Sequence, residues 1–173
     1  IEPFLDSFQQ PKPYLQTKLP LGNNYFCGRD IELQEIHTLL QQEKFLLLHG
    51  VGGIGKTELA KHYAMTYAEE YDAVVFVRFL DSIESTILSD TNFPIVHCTR
   101  SEGESDAAYL ERKLQVLHQI CTPRHLILLD NFDTGDCENL DFLTELPCPI
   151  LVTSRVDYDG IFPQYEVDIL SDE

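Results

Sequence analysis

Apolar positions fall into two patterns along this chain: short unbroken runs, and longer segments where they return every third or fourth residue. The unbroken runs are Phe45 to Leu48, Ala73 to Phe79, His125 to Leu129 and Ile150 to Thr153, with a weaker one around Tyr165 to Ile169. Runs of this length and branched content predict strands covered on both faces, as in a parallel sheet. Between them lie helical spacings. Ile31, Leu33, Ile36, Leu39 and Leu40 form one apolar face, with Asp30 placed to cap it. Leu59, Tyr63 and Tyr67 form a second, and Leu110, Leu114, Leu117 and Ile120 a third, opened by Ser105 or Asp106. A short helix over 82–89 starts at Ser82, and another is expected near 138–146. Thr91 to Gly103 is the least periodic stretch, and Phe93 to Cys98 within it fits either a strand or an ordered loop. Strands alternating with helices predict an α/β fold with a mostly parallel sheet and right-handed crossovers.

Residues 1 to about 22 carry four of the nine prolines without a clear period. They read as a linker or an arm lying on the domain, and 23–173 as the domain itself. Opening on Ile and stopping just after a predicted strand, the chain reads as a piece of a longer protein.

One loop changes the picture from fold to chemistry. Gly50-Val51-Gly52-Gly53-Ile54-Gly55-Lys56-Thr57 fits G-x-x-x-x-G-K-[ST], the Walker A or P-loop pattern, between a predicted strand and a predicted helix. Phosphates need closely packed donors, and glycines let the backbone turn its N–H groups inward. The helix that starts here, with Glu58 in its first turn, adds its dipole and unpaired amides. In this pattern Lys56 reaches the β- and γ-phosphates and the Thr57 hydroxyl coordinates Mg²⁺.

Such a site also needs an acid at the end of a neighbouring strand to hold Mg²⁺ through water, and Asp130 ends the run HLILLD. Asn131 follows, where many ATP-hydrolysing P-loop proteins place a second acid as base. An amide orients water but does not take its proton. Asp133, two residues on, is the other candidate base. The strand after that ends in Thr153-Ser154-Arg155, which puts a guanidinium fork at the strand tip, where it can read a γ-phosphate.

Charge and cysteines narrow the partners. With 12 basic and 29 acidic residues, the formal charge of −17 supplies no basic stripe for a nucleic-acid backbone. The five cysteines, at 27, 98, 121, 137 and 148, form no C-x-x-C pair, which suits reduced thiols in a cytoplasmic setting. No apolar run is long enough for a membrane span.

Together, Phe26-Cys27-Gly28-Arg29-Asp30, GVGGIGKT, LILLDNFD and ILVTSR resemble the nucleotide-binding domain of STAND P-loop NTPases. The nearest branch is the NB-ARC or AP-ATPase type of apoptotic ATPases, plant resistance proteins and bacterial regulators. The resemblance covers about 23–169 and implies a three-layer sandwich with a five-stranded sheet of order 5-1-4-3-2. It implies ATP or ADP as ligand, with the segment Phe26, Cys27, Gly28 and Arg29 against the adenine, and Arg155 as γ-phosphate sensor. It further implies a switch whose protein partners act through effector and sensor regions outside this chain, with self-association in the active full-length protein. Two departures stand out: Asn131 replaces the usual second acid, and the chain stops before the family's G-x-P and winged-helix regions. The rival readings are a scaffold that binds nucleotide without hydrolysing it and, less favoured, a GTPase. For the latter, the usual N-K-x-D guanine motif has no Asn-Lys pair here.

Overall fold

The computed structural model describes residues 10–22 and 28–169. Five strands, β1 (Phe45–His49), β2 (Ala73–Arg78), β3 (His125–Asp130), β4 (Ile150–Ser154) and β5 (Gln164–Glu166), form one sheet. Its order is β2-β3-β4-β1-β5 and every neighbouring pair is parallel, the order expected from the sequence read from its other edge. Ile150–Ser154 thus lies inside the sheet between β3 and β1, and all the strand C-termini point to one edge.

The central strands take the sheet's middle because they are apolar on both sides. Leu46, Leu47 and Leu48 are fully buried, each contributing on the order of 1.5–3 kcal/mol of burial. Alternate residues face opposite layers. Leu46 and Leu48 join α1 (Asp30–Glu43) and α2 (Lys56–Thr66) through Leu33, Ile36, Leu40, Leu59 and Tyr63. Leu47, Val75, Ile127 and Val152 face the other layer, with Ile83 and Ile87 of α3 (Ile83–Leu88) and Tyr109 and Leu117 of α4 (Asp106–Ile120).

Several element ends differ from their sequence expectation. Asp30 does not cap α1; Arg29 occupies that position without a side-chain cap bond, and Asp30 enters the first turn. Ile31 is three-quarters exposed, so the buried stripe narrows to Leu33, Ile36 and Leu40. The helix expected near 138–146 shrinks to α5 (Asp141–Thr144), because Asn139 adopts a left-handed φ of 58° just before it. Ser82 and Ser105 do cap α3 and α4, each accepting from the amide three residues on. Phe93–Cys98 is an ordered loop whose Val96 bridges to Tyr14. The segment around Tyr14 to Lys18 lies against the outer edge of β2, with Lys18 N donating to Val74 O at 2.9 Å and Phe76 N to Lys18 O at 2.7 Å.

Candidate nucleotide site

β1 ends at the C-terminal edge of the sheet, and residues 50–55 turn from it into α2. The turn depends on two glycines in particular. At Gly50 an added Cβ would sit 2.7 Å from Val167 O, the backbone that follows β5. Gly55, the residue before α2, has φ 97°, a left-handed conformation open to glycine at little cost. Gly55 offers no side-chain cap to the first amides of α2, unlike the serines before α3 and α4. Those amides and the dipole behind them face the cleft, an arrangement suited to an anion.

Gly52, Gly53, Gly55, Lys56, Thr57, Glu58, Asn131 and Arg155 line a cavity of about 240 Å³. Beside it, His49, Gly50, Val51, Ile54, Arg155 and residues 166–169 line a second one of about 210 Å³. Lys56 is largely buried, and its Nζ donates to Gly50 O at 2.7 Å and Val51 O at 2.8 Å. Burial pushes its ammonium below the ordinary lysine value; Asp133 and Asp130 work against that shift, and Arg155 works with it. A phosphate chain in the loop would offer Lys56 stronger, charged acceptors than two carbonyls.

Asp130 comes to the site from the end of β3 and is 2% exposed. Its Oδ1 accepts from Thr57 Oγ1 at 2.6 Å and from Thr153 Oγ1 at 2.7 Å, joining α2, β3 and β4 at one oxygen. Asn131 turns away from the strand with φ 60°, a left-handed conformation that asparagine tolerates, and its amide donates to Thr153 Oγ1 at 3.0 Å. Thr153 therefore ties the Asp130 carboxylate to the turn at Asn131, a contact that no spacing within one strand announces. The parallel register pairs Leu129 with Val152, so the next residues, Asp130 and Thr153, meet across the strands. The signal for this contact is the cross-strand register, not the spacing within either strand.

Arg155 leaves the tip of β4 and lies over the loop; a Cβ added to Gly52 would be 3.4 Å from its Cδ. Its backbone N donates to Asp133 Oδ1 and its Nε to Asp133 Oδ2, both at 2.7 Å. Arg29 approaches from the other side of the loop but is 6% exposed. Its guanidinium donates to Ile54 O at 3.2 Å, to Asp168 O at 3.1 and 3.2 Å, and to Glu32 at 2.5 Å. It ties the start of α1 to the loop and to the segment after β5. Gly28, just before it, has φ 81°. Phe26 and Cys27 lie outside the described residues. Glu58 pairs with Lys61 at 2.8 Å along α2.

Among the described residues no group of three or more His, Cys, Asp or Glu could hold a metal. No helix among them is long and apolar enough to cross a membrane.

A family profile described as Novel STAND NTPase 3 matches residues 30–97, from α1 through the loop, α2 and β2 to the segment after α3. No curated protein matches the chain. Among solved structures, a chain in the Drosophila ORC bound to DNA superposes with a TM-score of 0.53 at 16% identity, over 81% of this chain and 89% of that one. A chain in the Drosophila ORC bound to AT-rich DNA and Cdc6 gives 0.53 at 15% identity, over 78% of this chain and 51% of that one. At such identities these likenesses concern the fold alone. Profile match, sheet order and loop geometry together support a STAND P-loop NTPase domain.

Proposed function

We propose that this chain is the ATP/ADP-binding switch domain of a STAND-type signalling or regulatory NTPase, with slow Mg²⁺-dependent hydrolysis. The observation that carries the reading is the meeting of Thr57 and Asp130 at 2.6 Å beside Lys56. Two residues 73 positions apart come together beside the phosphate loop, where a metal-bound triphosphate would use both. Mg²⁺ keeps several waters and takes few protein ligands beside substrate phosphates, so one hydroxyl and one carboxylate form a suitable donor set. Held there, the ion would neutralise charge on the β- and γ-phosphates.

The protein's own groups have separable tasks in this reading. The loop amides and Lys56 bind the phosphate chain, and Asp130 and Thr57 stand on the metal side. Asn131 faces the cavity from the turn after β3 and orients water without taking its proton. Arg155 contacts the γ-phosphate, so that the domain distinguishes triphosphate from diphosphate. The second cavity, against Val51, Ile54 and residues 166–169, is the place for the base in this reading. Effector and sensor partners, self-association and a cytoplasmic setting belong to the same proposal. DNA binding, stated of the two ORC structures, does not carry over to a chain of net charge −17.

Asn131 favours one second reading, a scaffold that binds nucleotide without turning it over. Chromatography of nucleotide released from the denatured protein identifies the ligand, and turnover with Mg-ATP separates the two readings. The expected result is adenine nucleotide and a slow turnover that Lys56→Ala abolishes. Turnover equal in both proteins would remove the enzymatic reading, and guanine nucleotide would remove the adenine one. Lys56→Ala is also expected to weaken triphosphate binding by about 2–4 kcal/mol, the loss of a charge-assisted contact, measured by calorimetry.

A further inference from the structure

We infer that Asp133 is the positioning residue for Arg155, holding its guanidinium in the orientation that reads the third phosphate. The inference rests on the reading of Arg155 given above and adds the residue that makes it effective. An arginine at a strand tip is ordinarily a long, mobile surface chain, and the side chain of Arg155 is 65% exposed. Discriminating a terminal phosphate requires instead that its donors be fixed before the ligand arrives.

Asp133 supplies that fixing with both carboxylate oxygens. Oδ1 accepts from the Arg155 backbone amide and Oδ2 from Nε, each at 2.7 Å. One end of the chain is thus held at its root and the other at the inner edge of the guanidinium. Both Nη groups stay off the pair: all the bonds that Arg155 makes to described residues go through its backbone N and Nε. They form the outer fork, the part that pairs bidentately with phosphate oxygens. The Cδ lies against Gly52, which sets the fork over the loop that carries Lys56.

Asp133 is itself held in place. Its side chain is 20% exposed. Phe132, fully buried before it, donates its amide to Thr153 O at 2.9 Å. The Ser154 hydroxyl donates to Phe132 O at 2.5 Å and lies 3.5 Å from Asp133 Oδ1. The segment after β3 is therefore tied to the end of β4, and the acid follows the strand that carries the arginine.

The test reads the ratio of affinities for ADP and for a non-hydrolysable ATP analogue, with Mg²⁺, by calorimetry on the whole chain. Arg155→Gln is expected to lower the triphosphate preference by roughly 10- to 100-fold, the worth of a charged hydrogen bond, with ADP affinity retained as the sign of an intact fold. Asp133→Ala is expected to lose most of that factor although it touches no nucleotide. The double variant should fall no further than Arg155→Gln. Asp133→Asn keeps one acceptor in place of two and should lie between wild type and Asp133→Ala. If Arg155→Gln lowers the preference and Asp133→Ala leaves it intact, positioning is refuted and the sensor reading stands. If Asp133→Ala raises the preference, the carboxylate competes with phosphate and the inference fails. Lost turnover with an unchanged preference in Asp133→Ala would make Asp133 the base and overturn it as well. An unchanged preference in Arg155→Gln would remove the sensor reading, and the inference with it.

Discussion

At the scale of single residues, the site depends on a few positions where one atom decides. Gly50 is the clearest. A methyl group there would meet Val167 O at 2.7 Å, in a residue whose backbone N–H donates to His49 O at 2.7 Å. Gly50→Ala is therefore expected to cost about 1–3 kcal/mol through overpacking, seen as a lower denaturation midpoint with an unchanged slope. Asn131 raises the opposite question, what a residue would gain. Its left-handed φ of 60° is one that aspartate also tolerates, so Asn131→Asp places a carboxylate beside the cleft without reshaping the turn. If a base is what turnover lacks, the rate should rise, by at most roughly 10²- to 10⁴-fold, with ATP affinity nearly unchanged. Single-turnover rates decide it, and no change would mean that proton abstraction does not limit this chain. That Lys56 and Thr57 open a helix after a glycine loop and Asp130 ends a buried strand was legible in the sequence from the spacing within strand, loop and helix. Thr153 and the Asp133–Arg155 pair were not, because they depend on two strand ends meeting across the sheet.

At the scale of elements, apolar periodicity placed four strands and the three longest helices, while the strand expected around Tyr165 to Ile169 is only Gln164–Glu166 and ends before Val167. It failed between α3 and α4, and the reason is physical: charged groups hold that segment as much as apolar ones. Lys113 is fully buried and donates to Asp90 at 2.9 Å, Tyr109 donates to the same carboxylate oxygen at 2.5 Å, and Phe93 fills the space beneath. Farther along, Arg112 pairs bidentately with Glu104 at 2.7 and 2.8 Å and packs its guanidinium on the Tyr109 ring. No period in the sequence announces contacts of this kind. The clamp has a pH signature. The Arg112 guanidinium beside Glu104 holds its carboxyl at about 2, below its ordinary 4.5. A carboxyl whose folded value is depressed stabilises the fold fully above its unfolded value, and that contribution disappears as the pH falls through the folded one. The Ser101 amide donates to Glu104 Oε2, and the Glu104 amide donates to Ser101 O. Both are therefore expected to keep their exchange protection, relative to the intrinsic rate, above pH 4.5 and to lose it as the pH falls towards 2. In Glu104→Gln the loss should be present at every pH, and an unchanged acid profile in that variant would place the titrating group elsewhere.

At the scale of the whole molecule, the sheet has one site edge and two side edges, and the side edges are treated differently. The C-terminal edge gathers the loop, Asp130, Asn131 and Arg155 because every strand runs the same way. The β5 side ends in a strand of three residues, too short to offer much of a template. The β2 side has six residues, and the segment around Tyr14 to Lys18 covers it. Thr17 Oγ1 accepts from Val74 N, Lys18 O accepts from Phe76 N, and Lys18 Nζ donates to the carbonyls of Thr91 and Asn92. The low apolar period of this segment was visible in the sequence; its pairing was not, since edge bonds run through the backbone and leave no side-chain pattern. Amides along a strand point alternately to either side, so those of Val74 and Phe76 face this segment and those of Val75 and Val77 face β3. Removing residues 1–22 should then unprotect the Val74 and Phe76 amides by several orders of magnitude in hydrogen exchange. Val75 and Val77 should keep the protection of the sheet interior. The uncovered edge should also promote concentration-dependent self-association, measurable by light scattering, which Lys or Pro placed on that edge would suppress. Equal loss of protection at all four amides would show instead that the segment is needed for β2 to pair with β3 at all, making it part of the fold rather than a cover on its edge.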